Sequence, residues 1–118
     1  EVFQSWKTAV AKLAECPNVV AKVGGIQMVV NGYGWHEMSR PPTSDELLTA
    51  NRDWYKYTID QFGPDRCMFE SNFPVDKLSC SYTVLWNQFK KLTVGFSNDE
   101  RAAMFHDNAM RVYRLPRV

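Results

Sequence analysis

The sequence predicts an α/β domain with a parallel sheet, of which this chain is the terminal part. Helical and strand patterns alternate along the chain, an order that places helices between parallel strands. The first strand candidate is a short β-branched run without the polar alternation of a surface strand, which is typical of a strand covered on both faces. Only two strands are visible, and two parallel strands cannot bury their edges and faces alone. A barrel and a doubly wound sheet both fit this pattern.

The first part of the chain predicts a helix, a strand and a long loop. Apolar residues recur every three or four positions before Pro17, which indicates an amphipathic helix. Residues 19–23 predict the first strand, which stops at Gly24. The stretch that follows, up to Pro42, is too long for a minimal connection, and loops of this length often carry function.

The remainder predicts a helix, a second strand and two closing helices. Thr43 and Glu46 have the spacing of a capping box, and apolar residues follow at helical intervals as far as Gly63. Residues 66–69 predict the second strand, because Pro74 prevents further pairing soon afterwards. Two more apolar stripes predict the closing helices, over 82–92 and after a second capping box formed by Ser97 and Glu100.

The composition indicates a soluble globular protein: 45% of the 118 residues are hydrophobic and 23% are charged. A formal net charge of +1 leaves no basic surplus, so we expect no nucleic-acid partner. No apolar run reaches the roughly 20 residues that a membrane span needs, and no signal-peptide core is visible, so we expect a cytoplasmic chain without membrane contact. The three cysteines lack Cys-x-x-Cys spacing and are expected to be reduced thiols.

Three motifs carry a family resemblance. Residues 62–76 read FGPDRCMFESNFPVD, residues 17–25 read PNVVAKVGG, and residues 108–113 read NAMRVY. In this order and spacing they resemble the last barrel strand, the preceding strand and the closing helix of the amidohydrolase-related family. That family contains metal-dependent hydrolases, including sugar lactonases, dicarboxylate lactonases and some decarboxylases.

The resemblance implies a (β/α)8 barrel whose C-terminal part, about the last two βα units and the terminal helices, makes up residues 1–118. Roughly half of a typical barrel of about 250 residues would then lie outside the chain. The family's His-x-His pair and further histidines belong to strands that are not here, and His36 and His106 match none of those positions. We therefore expect no turnover from this chain by itself.

Lys22 and Glu70 are candidate inward-facing charges. Strand alternation groups Glu70 and Asn72 with Met68 on one face, and it places Lys22 on the corresponding face of the earlier strand. In the implied barrel this face points to the interior near the carboxyl ends of the strands, where barrel enzymes have their active sites. We expect an interior ion pair between Lys22 and Glu70. It would either tune the pKa values of the pair or serve as a satisfied buried charge pair.

Asn72, Glu70 and Asp76 are the catalytic candidates. Asn72 stands where the resemblance places an Asp in most family members, which binds metal or takes a proton from the attacking water. An amide is a poor base, so Asn72 is expected to orient a water or hydrogen-bond a carbonyl. Glu70, or Asp76 at the barrel rim, would then supply the missing carboxylate. The alternative is that Asn72 is simply a turn residue ahead of Pro74.

The loop that contains Trp35 and His36 is expected on the catalytic face, where it offers a stacking surface and a titratable ring. We predict Lys22, Trp35 and His36 as substrate contacts. The alternative for the loop is a plug that packs on its own helix.

The resemblance implies a hydrolase that opens a lactone or a similar ester of a small-molecule substrate by water attack. Two alternatives stay open: a metal-dependent decarboxylase on the same barrel, and a non-catalytic truncated fragment. No metal ligand is assigned within the chain. A divalent metal such as zinc in the full-length protein stays open, because this branch lacks the strand-end Asp and some relatives dispense with metal. Homo-oligomerisation also stays open.

Overall fold

A computed structural model describes residues 1–116 as a mixed α/β chain. The helices and strands lie in the order α1 Val2–Ala14, β1 Ala21–Val23, α2 Ser44–Phe62, β2 Cys67–Phe69, α3 Tyr82–Leu92, α4 Asn98–Ala102 and α5 Asn108–Val112. A π-helical segment, Ala103–Asp107, joins α4 to α5. Short 3-10 turns occupy Val29–Asn31, Trp35–Glu37, Pro64–Arg66 and Val75–Leu78.

The two strands pair in parallel, as the sequence predicted, with Lys22 of β1 opposite Met68 of β2. The first strand is shorter than predicted, because it begins only at Ala21. The backbone of Val19 is engaged elsewhere: its N–H donates to the Cys16 carbonyl, and its own carbonyl accepts a hydrogen bond from Arg66. These groups are therefore not available to extend the ladder.

The second strand ends at Phe69, as predicted, so the strand alternation that we applied to Glu70 and Asn72 does not hold for them. Asn72 has a φ of 53°, a left-handed conformation that breaks the alternation of a strand and that Asn tolerates better than most residues. The alternation does hold for Phe69, whose ring lies 4.7 Å from the ring of Phe105 in the π-helical segment. Phe69 thus packs against the π-helical segment.

Local capping signals predicted both helix starts correctly. At α2, the Thr43 N–H donates to the Glu46 carboxylate at 2.7 Å, and the Glu46 N–H donates to the Thr43 hydroxyl at 3.3 Å. Ser97 and Glu100 form the same reciprocal pair ahead of α4. Each pair satisfies donors that a helix N-terminus otherwise leaves without a partner.

The chain divides into two compact units, each with its own interior. The first unit comprises Glu1–Val23, Trp54–Phe69 and the described residues from Phe96 onward, and its buried side chains are mostly apolar. The second unit comprises Gly24–Asp53 and Glu70–Gly95. Its interior is different, because amides, a carboxylate and hydroxyls are buried among the apolar residues; these polar residues are Gln27, Asn51, Asp76, Ser79, Gln88 and Thr93.

Two side chains fasten backbone segments within the first unit. The Arg66 guanidinium donates to the carbonyl oxygens of four residues, Ala14, Cys16, Val19 and Phe62. Asn108, the first residue of the closing motif, donates from Nδ2 to the carbonyl oxygens of Pro64 at 2.7 Å and Cys67 at 2.8 Å. Buried or half-buried carbonyls near β1 and β2 are thereby satisfied.

None of the helices in the described part of the chain combines the length and the hydropathy that crossing a bilayer requires. All three cysteines are free thiols, and Cys67 and Cys80 are buried.

Candidate active site

Two loops of the second unit meet through their backbones. The first begins with Gly24 directly after β1, and the second begins with Glu70 directly after β2. A Cβ placed on Gly24 would lie 2.5 Å from both Cγ and the carbonyl oxygen of Glu70. A Cβ on Gly25 would lie 3.2 Å from Nδ2 of Asn72. The glycine pair therefore permits an approach that side chains would prevent.

Asp76 is the central group of this site, and it is completely buried, with 0% of its surface exposed. One carboxylate oxygen, Oδ2, accepts a hydrogen bond from Nε2 of Gln27. The other, Oδ1, accepts from Nδ2 of Asn72 at 3.0 Å. Burial raises the pKa of Asp76, the amides of Asn72 and Gln27 oppose that rise, and the negative charge of Glu70 adds to it.

The turn that carries Asp76 directs its side chain inward. The Asp76 N–H donates to the Asn72 carbonyl at 3.1 Å, and the Asp76 carbonyl accepts from the N–H groups of Ser79 and Cys80. The 3-10 turn Val75–Leu78 therefore closes tightly. The turn places the carboxylate between two amide donors. That Asp76 lies at the barrel rim stays a prediction.

Besides its bond to Asp76, Gln27 accepts two further hydrogen bonds. Its backbone carbonyl accepts from the Ser79 hydroxyl at 2.7 Å, and its Oε1 accepts from Nδ2 of Asn51 at a long 3.5 Å. Nδ2 of Asn51 also donates to Oε1 of Gln88 at 3.0 Å. Gln27, Asn51 and Gln88 are each 0% exposed. We call Gln27, Asn51 and Gln88 the amide chain; it links α2 and α3 to the Asp76 carboxylate.

Sequence reasoning missed the amide chain, although a signal was present. Asn51 lies four residues after Leu47 and four before Tyr55, in the middle of an apolar stripe. Gln88 likewise lies beside Phe89 on the apolar face of α3. A polar residue at a core position predicts a buried hydrogen-bond partner, but the sequence does not say where that partner lies.

Lys22 and Glu70 are both described, and neither has the full burial expected of an interior pair. Lys22 is exposed and Glu70 is half-buried. The ion pair between them stays a prediction. The parallel register, with Lys22 opposite Met68, is consistent with Lys22 lying on the same face as Met68.

The Trp35 loop borders the start of α2 across an open groove. The Tyr33 and Trp35 rings are stacked with centroids 6.1 Å apart, and Trp35 borders an open groove together with Asp45, Glu46, Thr49 and Ala50. His36 is exposed, and its Nε2 lies 3.7 Å from Oε1 of Glu37. Within residues 1–116, neither Trp35 nor His36 hydrogen-bonds to Asp76 or Asn72. Both interpretations of the loop, a substrate contact and a plug, therefore stay predictions.

The described residues do not by themselves complete a zinc site. No three His, Cys, Asp or Glu side chains converge in the part of the chain that the structure describes, whereas zinc sites use at least three such ligands. Burial raises the pKa of Cys67 to about 12 and that of Cys80 to about 11, so both remain protonated thiols at neutral pH.

The arrangement fixes the Asp76 carboxylate and can orient a small polar molecule beside it. Asp76 offers a negative charge fixed by two donors, and Asn72 uses its Nδ2 to provide one of them. Oδ1 of Asn72 accepts no hydrogen bond from the described residues, so it is available to a water or a hydroxyl. These are the parts that activation of a water molecule requires, namely a base and an orienting acceptor.

Comparison with known proteins identifies the family of this chain. A family model described as amidohydrolase matches residues 1–115. The uncharacterised protein y4mH of Sinorhizobium fredii is 46% identical over 113 residues, which are 96% of this chain and 34% of that protein. An L-fucono-1,5-lactonase of Burkholderia multivorans is 33% identical over 112 residues, which are 94% of this chain and 36% of the lactonase.

A solved structure shows the same similarity in three dimensions. The crystal structure of an amidohydrolase from Burkholderia multivorans with bound zinc matches this chain with a TM-score of 0.79 and 31% identity. The match covers 94% of this chain and 37% of that one. The chain thus spans 34% to 36% of the length of the two relatives named above. Because the family model matches nearly all of its residues, the chain belongs to the amidohydrolase family.

Proposed function

We infer that the protein to which these residues belong is a hydrolase that opens a lactone or a related ester by water attack. Residues 1–118 would form the C-terminal part of its (β/α)8 barrel, about the last two βα units with the closing helices. One observation carries this proposal: the Asp76 carboxylate is buried, bound by two amides and next to Glu70 in loops that follow two parallel strands. The lactonase relative supports the choice of substrate class.

In the proposed reaction the attacking water reaches the buried Asp76 beside the half-buried Asn72 and gives it a proton as the water oxygen bonds to the carbonyl carbon. The ring C–O bond then breaks, and the leaving alkoxide takes the proton from Asp76. A base works best when its pKa lies close to the operating pH, and burial moves the pKa of Asp76 in that direction. Oδ1 of Asn72 would accept the second hydrogen of the water and orient its lone pair to the carbonyl carbon. Glu70 would keep the proton affinity of Asp76 high through its charge.

Lys22, Trp35 and His36 remain the proposed substrate contacts. Lys22 and His36 are both exposed in the described chain. The zinc in the related crystal structure belongs to that protein. Since the described residues do not by themselves complete a zinc site, the steps proposed above use only this chain's own residues.

The test is a proton-release assay on the intact protein with a panel of sugar lactones and simple esters. We expect turnover of at least one lactone by the intact protein and none by the isolated 118-residue chain. A carbon dioxide measurement on carboxylated substrates tests the decarboxylase alternative in parallel. Turnover of no lactone or ester by the intact protein contradicts the proposed hydrolysis. Robust turnover by the isolated chain contradicts the assignment of these residues as part of a larger barrel.

A further inference from the structure

We propose that Gln27 is a positioning residue that holds the Asp76 carboxylate in one orientation. The inference rests on the proposed function only in giving Asp76 a catalytic task; the contact itself is a property of the fold. Nε2 of Gln27 donates to Oδ2 of Asp76, and both residues are 0% exposed. A buried carboxylate gains most from a donor that is fixed before the reaction begins.

The surroundings of Gln27 fix which end of its amide faces Asp76. Its Oε1 accepts from Asn51, so the donor end Nε2 is directed to the carboxylate. Its backbone is held separately, because the Ser79 hydroxyl donates to its carbonyl at 2.7 Å. Ser79 lies on the turn that carries Asp76, so the two loops are joined both through the backbone and through the side chain.

The amides of Asn72 and Gln27 bind different oxygens of the Asp76 carboxylate. Asn72 is half-buried and donates to Oδ1, the oxygen that receives the proton in the proposed reaction. Gln27 reaches Oδ2 from the buried side and has no solvent access of its own. Asn72 thus connects the carboxylate to the substrate, whereas Gln27 sets its rotation and favours its ionised form.

Few other titratable groups affect the pKa of Asp76. Glu70 is the charged neighbour, and Cys80 is the other titratable one; burial raises the pKa of Cys80 to about 11, so its thiol is neutral near pH 7. From α2 and α3 the amide chain presents neutral groups. A substitution of Gln27 should therefore change the pKa of Asp76 directly.

The test compares Gln27→Met with Gln88→Met in the intact protein, with carboxyl carbons followed by NMR across pH. Met has a similar volume to Gln and lacks the donor. Gln88 is as buried as Gln27 and belongs to the same amide chain, but it does not touch Asp76. We expect Gln27→Met to raise the pKa of Asp76 by about one unit, the shift for losing one hydrogen bond to a charged acceptor. Gln88→Met should leave this pKa within about 0.3 units.

A measurement on the unmodified protein covers the case in which Gln27→Met fails to fold. The side-chain amide protons of Gln27 should shift with the same midpoint as the Asp76 carboxyl carbon. In addition, the acidic limb of the kcat profile should move with Gln27→Met and not with Gln88→Met. An unchanged Asp76 pKa in Gln27→Met, or Gln27 amide protons that ignore the Asp76 titration, overturns the proposal. Absence of lactone turnover would defeat the proposed function and leave the NMR result standing.

Discussion

Glu70 lies directly against the bare Cα of Gly24, so close that a Cβ at position 24 would be 2.5 Å from the Glu70 carbonyl oxygen. This contact joins the loop after β1 to the loop after β2 and leaves no room for any side chain. The site therefore depends on Gly24, although Gly24 contributes no side chain to it.

Gly24→Ala should disrupt the second unit. The added methyl meets backbone, which cannot swing aside, so we expect a loss of about 2 kcal/mol or more in the free energy of unfolding. Gly95→Ala is the matched control, because a Cβ there meets nothing within 4 Å. Urea unfolding of both variants checks this. Equal stability of the two variants would show that the loops do not pack as described.

Arg66→Met should destabilise the first unit. The guanidinium donates to carbonyls at the ends of α1 and α2, and its removal leaves part-buried acceptors without a donor. We expect a loss of about 3 kcal/mol in the free energy of unfolding. Arg52→Met, at an exposed position on α2, should change it by less than about 0.5 kcal/mol. A neutral Arg66→Met variant would contradict the fastening role.

Asn108→Ala should also cost stability, about 2 kcal/mol, because the backbone carbonyls of Pro64 and Cys67 lose their shared donor. Asn18→Ala removes an exposed amide and serves as control. Thermal unfolding followed by circular dichroism measures both. The prediction fails when the midpoint of Asn108→Ala equals that of the control.

The stability of α2 should depend on acid pH through Glu46. The Arg40 guanidinium and the backbone N–H of Thr43 lower the pKa of Glu46 from 4.5 to about 2. Because the folded pKa is depressed, this stabilisation is present above pH 4.5 and is lost as the pH falls towards 2. Thermal melts of the wild type and of Glu46→Gln should differ above this window and converge at its acid end. A difference that does not change with pH contradicts the account.

The sequence predicted those features that depend on neighbouring residues. The capping boxes at Thr43 and Ser97 need only a spacing of three, and the parallel strands need only local apolar patterns. The burial of Asp76 could not be predicted in this way, because its partner Gln27 lies 49 residues earlier. Strand alternation also failed after Phe69, because Asn72 has a left-handed backbone. An Asn ahead of Pro74 is compatible with such a turn, but the residue type alone does not show that the strand has already ended.

The most direct test of the central claim is the kcat of Asp76→Asn for lactone hydrolysis by the intact protein. Asn keeps the shape of the side chain but cannot accept a proton, so we predict a fall of about 10² to 10⁴ with the fold retained. Asp60→Asn, an exposed carboxylate paired with Lys56, should keep the wild-type rate. A folded Asp76→Asn protein that turns over lactone as fast as the Asp60→Asn control would contradict the account.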